Sequence, residues 1–350
     1  LNPFTYEQPA RRVIFGTGSF ERLAEEAARA GARRVLVVST PEQRFAEDAA
    51  RRLGDLLAGT CAIAAMHVPV DTVHAARARA RDLEADWLAA IGGGSAIGLA
   101  KAVALDRALP IIAVPTTYAG SEMTSIFGIS EAGVKKTGRD PRVVPRVVLY
   151  DPSLTLSLPP QVSGPSGMNA LAHCVEALYA QDANPVITLL SVEAIRALSR
   201  SLPLVVRSPD HLDARSDALY GAWLAGTALG AVGMAIHHRL CHVLGGLFNL
   251  PHAEVHTVVL PQAAAFNRDA APEAMRLVAD AMGVSDAAQG LYDLAVRIGA
   301  PTSLKAIGMP EDGLDRAAAQ ATSAPLNNPR PVDYHSVRAL LRKAYVGLRP

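Results

Sequence analysis

A chain of 350 residues, 50% apolar and 19% charged, holds enough apolar material for two ordinary domains and is far from a disordered composition. Its formal net charge of +1 gives no long-range pull toward nucleic acid or an acidic membrane. Cys61, Cys174 and Cys241 are odd in number and form no CxxC pair, which predicts a reducing, cytoplasmic setting; no charged-then-apolar leader opens the sequence, and no run of about eighteen apolar residues predicts a membrane span.

In chain order the first half alternates strands and helices. Arg12–Phe15 predicts a strand running into Gly16-Thr17-Gly18, and residues 19–30 a helix with Phe20, Leu23 and Ala27 on one face. Arg34–Ser39 (RVLVVS) is a continuous apolar run, as expected of a strand buried on both faces of a parallel sheet. A helix over 41–58, a strand over Cys61–Val68 and a helix from an Asp71 N-cap to Leu83 follow. Trp87–Ile91 is the next buried strand and ends in Gly92-Gly93-Gly94-Ser95, before a helix over 95–106. Pro110–Pro115 ends at Thr116-Thr117, and Ile126–Ser130 and Val147–Tyr150 are further strands. The alternation predicts a Rossmann-like α/β domain with a parallel sheet over residues 1–155.

Beyond Pro152 the strand signals fade. Alanine-rich helical patterns cover 166–181, 185–200, 212–230, 232–246, 251–267, 272–282, 286–298 and 334–346, joined by short Pro- and Gly-marked turns. They predict an all-α domain over 156–350. Two packed domains with a ligand cleft between them is the architecture this order implies.

Four motifs carry chemistry. Gly92-Gly93-Gly94-Ser95 joins a buried strand to a helix. Glycines let a ligand approach the backbone, and a helix N-terminus presents unpaired N–H groups, which together suit a phosphate. The bland alternative is a tight turn that binds nothing, and the motif is not the GxGxxG fingerprint. Thr116, Thr117 and Ser121, with Tyr118 among them, end the next strand, where hydroxyls suit ribose, amide or phosphate contacts; an ST-turn is the competing reading. Ser39 and Thr40 end RVLVVS with no acid at the strand tip. With Arg44 nearby they could tolerate a 2′-phosphate, or simply cap a helix.

The fourth motif is the stretch GMAIHHRLCHVLGGLFNLPHAEVH, residues 233–256, which holds five of the ten histidines. His238 and His242 are four apart on a helical pattern, and His252 and His256 repeat that spacing after Pro251. Gly245-Gly246 is expected to break the helix between the two pairs. Two helices presenting imidazoles to one place make a metal site or an acid/base site. Asn169 and His173 share one face of the helix opening the second domain.

Taken together, Gly92–Ser95, Thr116-Thr117 with Gly120-Ser121-Glu122, Asn169 with His173, and His238, His242 and His252 resemble the iron-containing alcohol dehydrogenase family, whose fold is similar to dehydroquinate synthase. The resemblance implies a nicotinamide-binding N-terminal domain, a helical substrate domain and a homodimer. It puts the family's metal ligands at Asn169, His173, His238 and His252. Two positions depart from the family: Asn169 stands where metal-using members carry Asp, and Gly98 where an Asp is usual. An amide oxygen offers an ion only a dipole. The segments GGGSAIGLAK, PTTYAGSEMT, TGRDPRVVPRVVLYDP, HHRLCHVLGG and LPHAEVHT are most similar to a subgroup that works without metal.

That likeness implies reduction of the C=C bond of maleylacetate to 3-oxoadipate by NADH or NADPH, in aromatic-compound degradation, with no metal. A metal-dependent alcohol or polyol dehydrogenase is the alternative on the same fold. A lyase of dehydroquinate synthase type, or a binding protein without activity, is a more distant reading. Reduction of such an enone needs a donor for the ketone oxygen and an acid for the adjacent carbon. His238 and His242 are the first candidates, then His173 and His252. A dicarboxylate substrate also needs cations or polar donors. Lys136, Arg139, Arg142, Arg239, Arg330, Tyr118, Asn169 and His237 are the candidates, and His256 is expected to support local structure.

Overall fold

The computed structural model describes residues 4–42, 45–131 and 134–350. The chain divides into two compact units, Glu7–Leu158 and Pro159–Pro350 with the N-terminal tail.

The first unit is built on strands β1 (Arg12–Phe15), β2 (Val35–Val38), β3 (Leu57–Cys61), β4 (Trp87–Gly92), β5 (Ile111–Pro115) and β8 (Val147–Tyr150). They form one parallel sheet in the order β1-β8-β5-β4-β2-β3. The period of two explains the apolar runs. Val35 and Val37 face one core with Leu23, Ala27, Ala49 and Leu53, from helices α1 (Leu23–Arg29) and α2 (Ala46–Leu53). Leu36 and Val38 face the other with Val73, Ala76, Ile97 and Leu99, from α3 (Val70–Asp82) and α4 (Gly94–Arg107). A strand covered on both faces has no polar side to alternate with.

Several boundaries differ from expectation. The strand predicted at 61–68 lies at β3, because Cys61 ends the ladder and the chain then turns through His67 and Val68 at φ 64° and 52°. The helix over 41–58 shrinks to α2, closed by Gly54 at φ 51°. Asp71 does not cap α3; Pro69 holds the N-cap position, with Asp71 in the first turn. Strand β6 (Ile126–Glu131) pairs antiparallel with β7 (Val134–Arg139) in a separate hairpin. Its second strand, VKKTGR, is too polar to show an apolar alternation.

The second unit is helical: α5 (Pro160–Leu178), α6 (Pro185–Arg207), α7 (Leu212–Ala231), α8 (Ile236–Phe248), α9 (His252–Asn267), α10 (Pro272–Met282), α11 (Ala287–Arg297), α12 (Gly313–Ala321) and α13 (Tyr334–Val346). Helix α5 begins six residues before the predicted 166, with Pro160 in its first turn and Pro165 inside it. Helix α6 runs through Pro203 to Arg207, past the expected stop at 200. Helix α12 was not expected. Gly245-Gly246 is no break: both glycines lie inside α8, which ends at Asn249 in the left-handed region (φ 51°). All three cysteines are buried and unbridged. Among the described residues no single helix is long and apolar enough to cross a membrane.

Candidate active site

In the first unit the carboxyl ends of β4 and β5 are adjacent strand ends, with Gly92 opposite Pro115. Gly92 has φ 142°, and Gly93 is the N-cap of α4 with no side chain capping the helix. Its first-turn N–H groups are thus left to a ligand. A Cβ at Gly93 would lie 2.8 Å from Thr117 Cγ2 and 3.0 Å from its Oγ1. Only glycine lets the two loops come this close, so the turn is a cradle and its residues fit a nucleotide pyrophosphate. Ser95, Thr116, Thr117 and Ser121 are all partly exposed around it. Ser39 ends β2 nearby, because Val38 pairs with Ala90 of β4; it is buried and donates to the Thr40 carbonyl. Arg44 lies outside the described residues.

Tyr118 turns the other way and is fully buried. Beneath the same loop lie Glu122 and Lys101, of which sequence reasoning did not single out Lys101. Lys101 of α4 is buried, and burial pulls its ammonium down to about 7. Glu122 is buried too; burial pushes its carboxyl up, and it accepts a 2.8 Å hydrogen bond from Tyr150. A lysine in an alanine-rich helix reads as a surface charge, which is why it passed unnoticed.

In the second unit α5, α8 and α9 bring six histidines together. Asn169, His173 and Glu176 sit at helical spacing on one face of α5. Glu176 is fully buried, and its carboxylate accepts from the N–H groups of Ala235 (2.9 Å) and His237 (2.7 Å) at the start of α8. It also lies 2.7 Å from His238 Nδ1. A carboxylate only accepts, so Nδ1 is the donor of this pair. The other ring nitrogen, Nε2, lies 2.9 Å from His173 Nδ1. Both nitrogens of His238 are thereby engaged inside a Glu176–His238–His173 chain. Glu176 was missed because the N–H groups it serves lie 59 to 62 residues further on.

Behind this chain, His237 Nε2 and His256 Nδ1 are 3.0 Å apart, and both rings are fully buried. Burial first, then the neighbouring histidines, holds each well below the usual imidazole range. Both are therefore neutral. In front, His242 is exposed and His252 partly so. Their rings neighbour His238 (centroids 6.4 Å apart) and His256 (4.4 Å). The cluster thus grades from a dry pair to two imidazoles within reach of a ligand.

The four positions that the family resemblance implies as metal ligands do not fit an ion well. Asn169 offers a buried amide Oδ1, without a hydrogen-bond partner, in place of a carboxylate. His238 Nε2, the nitrogen left for an ion once Glu176 holds Nδ1, is turned on His173. Among the described residues, His237, Cys241 and His256 do bring ligand atoms within 4.8 Å of one another. His237 Nε2 and His256 Nδ1 are also within hydrogen-bond distance of each other. This set is separate from the four positions the family resemblance implies.

The expected substrate cations are mostly engaged. Lys136 is exposed on β7 and pairs with Glu131 at 2.7 Å. Arg142 pairs with Asp140, and Arg139 is exposed. Arg330 lies 4.3 Å over the Phe266 ring and donates to the Phe266 carbonyl. Arg239, on α8 beside His238, reaches the Pro325 carbonyl only at 3.4 Å. Of these cations it is the one adjoining the histidines in sequence.

Comparison with known proteins places both units in one family. Residues 10–152 match the model of iron-containing alcohol dehydrogenase, and residues 164–345 that of the C-terminal part of the Fe-containing alcohol dehydrogenase family. The chain is 53% identical to a maleylacetate reductase of Burkholderia cepacia, covering 100% of both. It is 54% identical to a maleylacetate reductase of Sphingobium indicum, covering 99% of each. The crystal structure of maleylacetate reductase from Agrobacterium tumefaciens superposes with a TM-score of 0.97 at 48% identity, over 100% of both chains.

Proposed function

The chain belongs to the iron-containing alcohol dehydrogenase family, and from that premise we propose that it is an NAD(P)H-dependent maleylacetate reductase that needs no metal. The observation that carries the substrate is the full-length identity of about one half to maleylacetate reductases. The missing carboxylate at Asn169 and the His173–His238 hydrogen bond support metal independence.

Bound NAD(P)H supplies the hydride that adds to the alkene carbon β to the ketone. The remaining work falls to the chain's own side chains. Negative charge gathers on the ketone oxygen, and a proton must reach the neighbouring carbon, giving 3-oxoadipate. His242 and His252 are the reachable imidazoles and serve as donors to these two atoms. His173, at the end of the chain from Glu176 and His238, is the third candidate. His238 orients His173. Asn169 and Arg239 are assigned to a substrate carboxylate: an amide can donate to an anion where an aspartate would repel it. Gly92, Gly93, Gly94, Ser95, Thr116, Thr117 and Ser121, with Ser39, hold the nucleotide. We further propose a homodimer, which light scattering in solution tests.

The deciding experiment follows absorbance at 340 nm with NADH or NADPH plus maleylacetate, with and without a chelator. Oxidation that persists in the chelator is expected. No oxidation with maleylacetate, alongside metal-stimulated alcohol oxidation, would reverse the assignment.

A further inference from the structure

Lys101 stands two turns into α4, the helix whose first turn forms the Gly93-Gly94 cradle. Its Nζ lies 2.5 Å from the Ser121 carbonyl, 2.8 Å from the Thr124 carbonyl, 2.9 Å from Thr124 Oγ1 and 2.9 Å from the Ile126 carbonyl. An ammonium has three N–H donors and no acceptor, so these four oxygens saturate it. Three of them belong to the loop that follows Thr116-Thr117, and the fourth to Ile126, where β6 begins. The loop has little other regular support. Ser121–Met123 is a single 3-10 turn, and Glu122, Met123 and Thr124 are turned inward. At its far side Thr117 touches the glycine cradle so closely that a Cβ at Gly93 would collide with it.

We propose that Lys101 is a positioning residue of the nucleotide site: its buried ammonium staples the Thr116–Ser121 loop to the helix that carries the glycine cradle, and so sets the spacing of the two loops. Lys101 does not touch the nucleotide. A buried charge is costly unless fully hydrogen-bonded. On its removal the Ser121 carbonyl would keep only the Thr124 N–H and hydroxyl, and the Thr124 and Ile126 carbonyls would lose a charged donor. The loop would then shift as a unit, carrying Thr116, Thr117 and Ser121 with it. The proposal rests on reading these residues and Gly92–Ser95 as the nucleotide's loops.

The test is a set of variants, Lys101→Met and Thr124→Val, measured for NADH dissociation constant by fluorescence titration, for KM and kcat with maleylacetate, and for Tm. Displaced binding groups weaken the complex steeply. Lys101→Met is expected to raise the NADH Kd by about tenfold to a hundredfold. The KM for maleylacetate and the kcat at saturating NADH stay within about threefold of wild type. A purely structural role would lower Tm without this split. Thr124→Val removes one of the four acceptors and is expected to raise Kd about threefold. A folded Lys101→Met protein that binds NADH as wild type does would overturn the proposal. If Lys101→Met does not fold, an unchanged Kd in Thr124→Val overturns it instead. Wild-type protein that shows no NADH binding would overturn the nucleotide reading itself, a result distinct from both.

Discussion

His242 is the exposed member of the histidine cluster, one helical turn beyond the engaged His238. Its position makes it the residue whose loss reads out most directly on proton transfer. His242→Ala is expected to lower kcat by about a hundredfold or more while leaving NADH affinity unchanged. Retention of full turnover would remove it from the mechanism. Asn169 is the residue at which the site departs from metal-using relatives. Asn169→Asp places an anion beside His173 and should draw a divalent ion, displacing the His173–His238 hydrogen bond. Elemental analysis after metal loading should find about one ion per chain in the variant and substoichiometric metal in wild type. Reductase activity should fall, since a carboxylate repels an anionic substrate.

At the scale of elements, the glycine turn before α4 is set by close contact. Gly93→Ala puts a methyl 2.8 Å from Thr117 Cγ2. The loops must separate, and the KM for NADH is expected to rise about tenfold, with little change in the KM for maleylacetate. Gly98 poses the same question one turn further along α4, where a Cβ would lie 2.9 Å from Val68 Cγ2. Val68 cannot easily yield. It sits at φ 52°, where a β-branched residue is strained, and its carbonyl accepts from Ser130 of β6 at 3.0 Å. Gly98→Asp, the residue usual in relatives, is therefore expected to destabilise the protein by about 1–3 kcal/mol, read as a drop in Tm. A stable Gly98→Asp protein would show that the corner at His67–Val68 rearranges freely.

At the scale of the whole molecule, the buried His237–His256 pair links stability to pH. Both imidazoles are held well below their ordinary value by burial, so they stay neutral when the unfolded chain's histidines take up protons near pH 6.5. The unfolded state then binds more protons, and stability falls as pH drops below about 6.5. The loss amounts to about 1.4 kcal/mol per pH unit for each proton, until the folded-state values are reached. Urea unfolding between pH 7.5 and 5 measures it, and His256→Asn should flatten the slope by about one proton. An unchanged slope in that variant would mean that other groups carry the acid sensitivity.

Much of the local chemistry is legible in the order of the residues. Apolar runs such as RVLVVS and IIAVP marked strands buried on both faces, and glycines at a strand–helix junction marked the proposed nucleotide cradle. Histidines at helical spacing marked the cluster, and Asn169 marked the missing ligand. Each of these is a short-range pattern, legible because periodicity and backbone freedom are properties of neighbouring residues. Features that join distant segments emerge only in the folded chain. The strand order β1-β8-β5-β4-β2-β3 is one such feature. The polar hairpin partner β7 is another, since its pairing is backbone-to-backbone and leaves no apolar signature. The partners of buried charge are the third. Glu176 finds its N–H groups about sixty residues away, and Lys101 finds its carbonyls across a loop. In sequence each is a lone charged residue of the kind that usually faces water. In the folded chain the cost of burying it is met only by hydrogen bonds that folding brings together.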